Sequence, residues 1–383
     1  MPRSVKEIPL DGQRVFIRVD VNVPIKNGAI TDDTRIRASL PTIQYALDHG
    51  ARAVILASHL GRPKGKPDPA FSLTPVAARL SELLGRPVTV DAGFSPPDGG
   101  VTLLENLRFH AEEEENDPVF AAKLAGLADV YINDAFGSAH RAHASTEGIV
   151  RHVKEAGVGL LMAAELAYLG RVLQSPDRPF VAILGGAKVS DKLEVIQNLL
   201  PRVDALLIGG AMAYTFFKSR GWPVGTSLVE DDLLDAAKGI ERTARERGLR
   251  LEFPLDHIVA PKLEAGVATE ILDVDDPKIG DRMGLDIGPK TIARYREILG
   301  TAKTVTWNGP MGVFEIEAFA RGTVDIAKAV AAVHGTTVIG GGDSVAAVAK
   351  AGVTDRITHI STGGGASLEF LGGRKLPGVE ALN

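Results

Sequence analysis

Short apolar runs rich in β-branched residues alternate with helical patterns along this chain. In the first half, the runs predict strands at residues 14–20, 53–58, 101–105 and 130–134, and the patterns between them predict helices at 35–49, 74–84 and 118–128. Such alternation is typical of a parallel sheet covered by helices, because parallel strands must be joined by long crossovers. The pattern therefore predicts an α/β fold.

The same pattern restarts after residue 179. It predicts strands at 180–185, 205–209, 304–307, 338–341 and 359–362, and helices at 192–200, 291–299, 324–333 and 344–350. A chain of 383 residues with 45% hydrophobic residues is too long for one ordinary core. We therefore expect two doubly wound parallel-sheet (Rossmann-like) domains. Residues 159–173 combine leucine and alanine at helical spacing, which predicts a helix and hinge between the domains.

Composition excludes several classes of protein. The chain has 43 Lys and Arg against 48 Asp and Glu, and a net charge of −5 argues against a general nucleic-acid binder. There is no cysteine, which excludes disulfides, thiolate metal sites and a cysteine nucleophile. The N-terminus lacks the apolar core of a secretory signal, and no apolar run is long enough to span a membrane. We expect a cytoplasmic protein, and a monomer because no exposed apolar face is evident.

A glycine-rich segment at residues 340–344, Gly-Gly-Gly-Asp-Ser, lies between a predicted strand and a predicted helix. Glycines let the backbone approach a ligand closely, and a helix N-terminus attracts anions. The segment therefore indicates a phosphate cradle, with Asp343 placed to hold magnesium. A tight connection without a ligand is the alternative reading of the segment alone.

Further glycine-containing segments follow other strands of the second half. Residues 185–192 carry Lys188 and Lys192 at the mouth of a glycine turn, where they would neutralise phosphate oxygens. Gly209, Gly210 and Gly284 lie in small-residue segments suited to an adenine ring, although turn and helix packing explain them equally well. In residues 307–315, glycines would admit a nucleotide and Glu315 would take ribose hydroxyls.

Cationic side chains recur at the predicted strand ends of the first half. Residues 58–65 contain His59 and Arg62, and Arg108 and Arg141 follow later strands. Ligands of open parallel sheets bind beyond the carboxyl ends of the strands, and clustered cations repel one another unless an anion binds there. Asp20, Asn22 and Arg35 would join this site, although an Asx turn also explains the first two. We expect residues 112–115 to be solvated, and His140 and His143 lack a third metal ligand in pattern.

The chain resembles the phosphoglycerate kinase family over essentially its full length. The segments that carry the resemblance are residues 18–24, 58–65, 103–108, 133–143, 185–192, 307–315, 339–344 and 361–370. The resemblance implies reversible transfer of a phosphoryl group between ATP and 3-phosphoglycerate, giving ADP and 1,3-bisphosphoglycerate, with Mg²⁺. It also implies a phosphoglycerate-binding domain at 1–158, a hinge at 159–175, a nucleotide-binding domain at 176–360 and a C-terminal segment, 361–383, that returns towards the first domain.

The resemblance assigns site residues position by position. The implied phosphoglycerate site is Asp20, Val21, Asn22, Arg35, His59, Leu60, Gly61, Arg62, Arg108 and Arg141. The implied nucleotide site is Lys188, Lys192, Gly209, Gly210, Gly284, Asn308, Glu315, Gly341, Gly342, Asp343 and Ser344, with Asp343 as the magnesium partner. Arg35, Lys192, Gly341 and Gly342 would act on the transferring group and the leaving diphosphate.

Three alternatives differ from this interpretation. A kinase for another carboxylate would use the same cations, and a non-catalytic nucleotide-binding module would bind ATP without turnover. A nicotinamide dehydrogenase is disfavoured because no strand is followed by Gly-x-Gly-x-x-Gly. The favoured mechanism needs no general base, since a carboxylate nucleophile is ionised at neutral pH. Closure of the two domains would bring the substrates into line.

Overall fold

The computed structural model describes residues 2–383, and this part of the chain divides into two compact units. The first runs to Ala167 and includes Lys375–Asn383, and the second is Tyr168–Arg374. The strands of the first unit are β1 (Arg14–Arg18), β2 (Ile25–Lys26), β3 (Ala29–Ile30), β4 (Ala53–Ala57), β5 (Val88–Asp91), β6 (Gly100–Leu104), β7 (Val130–Asn133) and β8 (Glu155–Val158). Its helices before residue 160 are α1 (Thr34–Asp48), α2 (Thr74–Leu84), α3 (Ala111–Glu114) and α4 (Pro118–Ala125).

Six of these strands form one parallel sheet in the order β5-β6-β4-β1-β7-β8. Alternate residues of each strand enter different cores: Val15 and Ile17 pack into one, and Phe16 packs into the other. Both faces are thus buried, as a sheet covered by helices requires. The order reverses at β1, whose neighbours β4 and β7 lead away in opposite directions, so β1 marks the switch point where ligands of such sheets bind.

Helix α5 (Leu160–Gln174) begins in the first unit and ends in the second. Its first turn is held by the buried carboxylate of Asp134, which accepts a hydrogen bond from the backbone N–H of Met162 at 3.1 Å. Burial raises the pKa of Asp134 to about 6. The helix matches the sequence prediction for residues 159–173 to within a residue at each end.

The second unit is also built on parallel strands. Its strands are β9 (Phe180–Leu184), β10 (Ala205–Ile208), β11 (Arg250–Glu252), β12 (Asp256–Ala260), β13 (Glu270–Asp273), β14 (Met283–Ile287), β15 (Thr304–Asn308), β16 (Thr336–Gly340) and β17 (His359–Ile360). Its helices after α5 are α6 (Leu193–Leu199), α7 (Ala213–Ser219), α8 (Leu234–Glu246), α9 (Pro289–Leu299), α10 (Arg321–Ala331), α11 (Gly342–Lys350) and α12 (Gly365–Leu371).

The main sheet of the second unit has the order β11-β10-β9-β15-β16-β17, and all its pairs are parallel. Its switch point lies at β9, between β10 and β15. A second, antiparallel sheet has the order β13-β12-β14. The sequence interpretation did not predict this sheet: it placed Gly284 in a small-residue segment suited to an adenine ring, with turn and helix packing as the alternative, whereas Gly284 lies inside β14, paired with Val259.

The C-terminal segment returns to the first unit, where α13 (Pro377–Glu380) ends the fold. The backbone N–H of Gly378 donates to the carbonyl of Ala139 at 2.9 Å, and the amide of Asn133 donates to the carbonyl of Gly378 at 3.2 Å. These bonds and the two parallel sheets confirm the predicted fold class. Within residues 2–383, no helix has both the length and the apolar character needed to cross a membrane.

Candidate active site

A glycine-rich pocket of about 790 Å³ lies within the second unit, at the carboxyl ends of the parallel strands. Lys188 and Lys192 follow β9, Asn308 ends β15, and Gly341 follows β16. Gly341 has φ 90° and precedes α11, a conformation that favours glycine at the point where the chain turns into the helix. Gly342, Asp343 and Ser344 form the first turn of α11, which leaves backbone N–H groups available to an anion.

Lys192 and Asn308 form the buried wall of this pocket. The Nζ of Lys192 donates to Oδ1 of Asn308, and the two side chains are 7% and 2% exposed. Burial lowers the pKa of Lys192 to about 8, and the carboxylates of Asp191 and Asp343 oppose the shift. Lys188, in contrast, is exposed. A buried ammonium bonded to a neutral amide is costly unless an anion binds beside it.

Asn308 has a second feature that fits a ligand. Its Nδ2 is buried without a hydrogen-bond partner among the described residues, and a Cβ added at Gly341 would lie 3.1 Å from that nitrogen. Ser344 completes the wall, since its hydroxyl accepts from the backbone N–H of Gly309 at 2.7 Å. An unpaired donor beside a glycine cradle suits a phosphate oxygen.

The donor set also fits a magnesium ion that arrives with a nucleotide. Asp343 is exposed at the start of α11 and lines the glycine-rich pocket. No group of three or more His, Asp or Glu side chains in residues 2–383 is arranged to hold a metal by itself. Because Mg²⁺ commonly takes one or two carboxylates plus substrate phosphates, a single carboxylate beside a phosphate cradle is a sufficient protein contribution.

A second cavity of the same unit, of about 540 Å³, adjoins the glycine-rich pocket and shares Gly186 and Asp343 with it. Small and apolar residues line it, including Gly210, Gly284 and Met311, and the exposed carboxylate of Glu315 lies at it as well. Gly284 cannot be enlarged, because a Cβ there would lie 1.5 Å from the hydroxyl oxygen of Tyr214. The lining is thus made mainly of small and apolar residues, which suit a purine ring.

Gly209 differs from the other predicted nucleotide residues in its surroundings. It follows β10 directly, and a Cβ there would lie 2.4 Å from the Sδ of Met311. Gly209 thus packs against the side chain of a residue that lines the purine-sized cavity. A side chain at position 209 would therefore displace Met311, whereas Gly210 lines the cavity itself.

The predicted residues of the first unit gather beyond β1, β4, β6 and β7. β1 ends at Arg18, two residues before the predicted strand end at residue 20, so Asp20 and Asn22 lie in the loop that follows it. Asp20 accepts from Nη1 of Arg35 at 3.0 Å through both oxygens, and Asn22 Oδ1 accepts from the N–H of Gly61 at 3.0 Å. Val21 and Leu60, which were also predicted for this site, are buried.

Gly61 also contacts Arg108, the next predicted residue of the first unit's site. Its carbonyl accepts from Nη1 of Arg108 at 3.0 Å, so both backbone polar groups of Gly61 are used. Arg62 and Arg141 are exposed, and Arg141 donates from Nε to His140 at 3.2 Å. Burial lowers the pKa of Arg108, with Glu114 opposing the shift and the charges of Arg18 and Arg141 adding to it.

His59 is buried at the centre of these cations. Burial lowers its pKa well below the usual range, and repulsion from Arg18, Arg108 and Arg35 adds to the shift. His143 behaves in the same way, with a pKa lowered to about 3 by burial and by the same kind of repulsion. The electrostatics therefore couple these residues into one cationic site, which an anion would stabilise.

Two buried residues of this site were missed by sequence reasoning. Arg18 is 1% exposed, and its Nε donates to the hydroxyl of Ser145 at 2.8 Å. Glu113 is fully buried, so the prediction that residues 112–115 are solvated is wrong for this member. The short helix α3 turns Glu113 inward, where its carboxylate accepts from the hydroxyl and the backbone N–H of Ser145. A run of four glutamates carries no signal that singles one out.

Comparison with known proteins decides the family. The model of the family described as "Phosphoglycerate kinase" matches residues 5–374. The chain belongs to the phosphoglycerate kinase family. It is 57% identical to the phosphoglycerate kinase of Koribacter versatilis over 397 residues, which cover 99% of this chain and 98% of the relative. It is 59% identical to that of Solibacter usitatus over 394 residues, 99% of each chain.

Solved structures of phosphoglycerate kinases have the same fold. The structure from Coxiella burnetii matches with a TM-score of 0.92 at 43% identity, covering 100% of this chain and 99% of that one. The Pyrococcus horikoshii structure matches with a TM-score of 0.84 at 37% identity, covering 100% and 98%. The protein is thus a glycolytic, ATP-binding transferase with phosphoglycerate kinase activity, as the sequence resemblance predicted. Members of the family generally use magnesium-bound ATP.

Proposed function

We propose that the two sites described above carry out the two halves of the phosphoglycerate kinase reaction. The cationic site of the first unit binds 3-phosphoglycerate, and the glycine-rich pocket with its adjoining cavity binds ATP. The carboxylate of 3-phosphoglycerate attacks the terminal phosphorus of ATP, the bond from that phosphorus to the bridging oxygen breaks, and ADP leaves. The reverse transfer, from 1,3-bisphosphoglycerate to ADP, forms ATP. No proton needs to move, because the nucleophile is already ionised.

Lys192 and Arg35 neutralise the transferring phosphoryl group in this proposal. Phosphoryl transfer depends on positioning and charge stabilisation more than on covalent chemistry by the protein. The observation that carries the proposal is the buried ammonium of Lys192, bonded to the neutral Asn308 at the mouth of a glycine cradle. That arrangement supports a resident anion at the position of a nucleotide phosphate.

The nucleotide is held by the residues that line the two cavities of the second unit. Gly210 and Gly284 accept the adenine ring, Glu315 takes ribose hydroxyls, and Lys188 contacts phosphate from the pocket mouth. The first turn of α11, from Gly341 to Ser344, binds the diphosphate that leaves. Gly209 supports the ring through Met311.

Asp343 would hold Mg²⁺ together with the nucleotide's phosphates. When bound, Mg²⁺ supplies positive charge that stabilises the leaving diphosphate. Asp343 is suited to this because it is exposed and lies at the start of α11, where it lines the glycine-rich pocket.

The remote phosphate of 3-phosphoglycerate is bound by Arg62, Arg108 and Arg141, and its hydroxyl and carboxyl end by Asp20, Asn22 and His59. The exposed guanidinium groups of Arg62 and Arg141 support a phosphate reached from solvent. Arg35, half-buried and paired with Asp20, is available to the transferring group.

Several finer expectations belong to the same proposal. Residues 1–158 form the phosphoglycerate-binding domain, 176–360 the nucleotide-binding domain, and 159–175 a hinge that lets the domains close on both substrates. We further propose a cytoplasmic monomer. Compaction in small-angle scattering upon addition of both substrates tests closure, and unchanged scattering would contradict it.

A coupled assay of ADP formation tests the proposed chemistry, with ATP, magnesium and 3-phosphoglycerate. The native chain, Arg35→Ala and Lys192→Ala are compared. We expect native turnover and a loss of roughly 100-fold or more in kcat for each variant, as removal of a charged transition-state contact predicts. Native binding of ATP without turnover would overturn the reaction and leave a binding module, and turnover with another carboxylate alone would indicate a different kinase.

A further inference from the structure

Three buried polar side chains, those of Glu113, Ser145 and Arg18, form a series of hydrogen bonds that ends at His59. Glu113 Oε1 accepts from the hydroxyl of Ser145 at 2.5 Å, and that hydroxyl accepts from Nε of Arg18 at 2.8 Å. Nη2 of Arg18 lies 3.3 Å from Nδ1 of His59. Glu113 and Ser145 are 0% exposed, Arg18 is 1% exposed and His59 is 6% exposed, so water does not compete for these bonds.

The chemistry of each group determines which atom donates and which accepts in this series of hydrogen bonds. A guanidinium has donors and no acceptor, so Nδ1 of His59 must accept from Arg18 and cannot carry a proton. The surrounding cations and burial keep His59 neutral. A neutral imidazole has one ring proton, which therefore lies on Nε2 and makes that nitrogen a hydrogen-bond donor.

Arg18 is itself held in one orientation. Its Nη1 donates to the carbonyl of Val19, while Nε and Nη2 reach Ser145 and His59. The carboxylate of Glu113 supplies the compensating negative charge through Ser145, whose backbone N–H also donates to Oε2 at 3.0 Å. Burial raises the pKa of Glu113, and Arg18 together with the bonds from Ser145 opposes that rise.

We propose that Glu113, Ser145 and Arg18 are positioning residues that lock His59 in the Nε2–H tautomer, so that it presents a donor to an oxygen of the anionic substrate. This inference rests on the proposed function in taking His59 as a phosphoglycerate-binding residue. In the other tautomer, with the proton on Nδ1, the imidazole would present the lone pair of Nε2 to the anion, and the two would repel each other. The hydrogen-bonded series Glu113–Ser145–Arg18, called the relay below, thus makes His59 a neutral donor whose strength does not vary near neutral pH.

The tautomer is measured directly by long-range ¹⁵N–¹H spectroscopy of the full chain labelled in its nine histidines. The signal that disappears in His59→Gln identifies His59. We expect one neutral species protonated on Nε2, unchanged between about pH 6 and 8. A proton on Nδ1, an imidazolium, or a mixture of tautomers in the native protein would overturn the inference, whatever the enzyme assay shows.

Glu113→Gln tests the relay behind Arg18 with nearly unchanged shape. Because Glu113→Gln removes the charge that holds Ser145 and Arg18 in place, we expect Nη2 of Arg18 to leave Nδ1 of His59. His59 should then populate both tautomers, and the KM for 3-phosphoglycerate should rise about tenfold while the KM for ATP changes less than about twofold. Tyr131→Phe is the matched control: it removes a buried hydrogen bond to the carbonyl of Ser145 at 2.8 Å and leaves the relay intact. Equal effects of the two variants on the KM for 3-phosphoglycerate would show that Glu113 has only a structural role.

Two further results separate this inference from the proposed function. Ser145→Ala breaks the relay at a second point, so it replaces Glu113→Gln if that variant does not fold, and the same tautomer mixture is expected. If either folded variant keeps the native tautomer and the native KM, the inference falls. If the native chain shows the Nε2–H tautomer but no turnover with 3-phosphoglycerate, the proposed function falls while the tautomer assignment stands.

Discussion

Lys192 donates a hydrogen bond to Asn308 in the wall of the glycine-rich pocket, and no carboxylate of residues 2–383 is bonded to its ammonium group. The lysine is mostly protonated at neutral pH, but burial lowers its pKa to about 8, so a small rise in pH removes its charge. Enzymes commonly hold catalytic cations in such poised states, since an unpaired charge is available to the substrate. A pKa this close to neutral pH also allows the protonation of Lys192 to be followed by experiment.

The first prediction concerns pH. In the proposed mechanism the protonated form of Lys192 stabilises phosphate, so kcat/KM for ATP should fall as pH rises through about 8, the pKa of Lys192 in the free enzyme. Lys192→Arg keeps its charge at every accessible pH, so its profile should lack this fall even if its maximal rate is lower. The measurement is the pH dependence of kcat/KM from 6.5 to 9.5. A fall of equal size in Lys192→Arg would assign the titration to another group.

The second prediction concerns the loop that carries Met311 and Gly312 along the purine-sized cavity. The buried hydroxyl of Thr323 accepts from both of their N–H groups at 3.1 Å, and Asp286 accepts from the N–H of Gly322 at 2.7 Å in the same turn of α10. Thr323→Val leaves both N–H groups unpaired and should cost about 2 kcal/mol of unfolding free energy. The KM for ATP should rise about fivefold as the loop loses its anchor.

Thr323→Ser is the matched variant for this loop, since it keeps the hydroxyl and removes one methyl group. It should restore most of the native KM for ATP, measured at saturating 3-phosphoglycerate, and most of the stability measured by urea unfolding. Similar KM values for the valine and serine variants would show that the hydroxyl does not position the loop.

The third prediction concerns acid stability. His257 is 2% exposed, its Nδ1 lies 2.8 Å from the hydroxyl of Tyr214, and burial lowers its pKa to about 4. A histidine whose pKa is lowered by folding contributes stability above its unfolded pKa of about 6.5 and loses it as pH falls towards the folded value. Between pH 7 and 5 the contribution lost should be about 2 kcal/mol.

His257→Gln removes this titration while keeping an acceptor near Tyr214. Its unfolding free energy in urea should therefore fall less than that of the native chain between pH 7 and 5. The exposed His334, changed to glutamine, is the control and should follow the native chain. An unchanged pH slope in His257→Gln would contradict the assigned pKa direction.

The sequence predicted the parts of the fold that depend on short-range pattern. Parallel strands and the helix over residues 159–173 were confirmed, because apolar runs and helical spacing report directly on burial of a local face. The antiparallel sheet that contains Gly284 was missed, because neither β13 nor β14 is a continuous apolar run: β13 is mostly exposed, and β14 contains Gly284 and Asp286. The edge strands β5 and β8 were missed because they are only partly buried and carry polar residues or glycine in place of a continuous apolar run.

The residues of the candidate site also fall into those that a local sequence pattern indicated and those that it did not. Residues that follow apolar strands, such as Lys192 and His59, were proposed from the sequence because strand ends of a parallel sheet meet at one edge. Their roles stay predictions. Glu113 was misread and Arg18 was not singled out, because the burial of a charged side chain depends on partners distant in sequence: Ser145 is 32 residues from Glu113 and 127 from Arg18.

The central claim is that Lys192 stabilises the transferring phosphoryl group, whereas the exposed Lys188 only helps to bind the nucleotide. Rapid-quench measurement of a single turnover, with ATP, magnesium and 3-phosphoglycerate saturating, tests it most directly on Lys192→Ala and Lys188→Ala. We predict that the transfer rate falls roughly 100-fold or more in Lys192→Ala and less than about fivefold in Lys188→Ala. A native transfer rate in Lys192→Ala, with only a weaker affinity for ATP, would contradict the account.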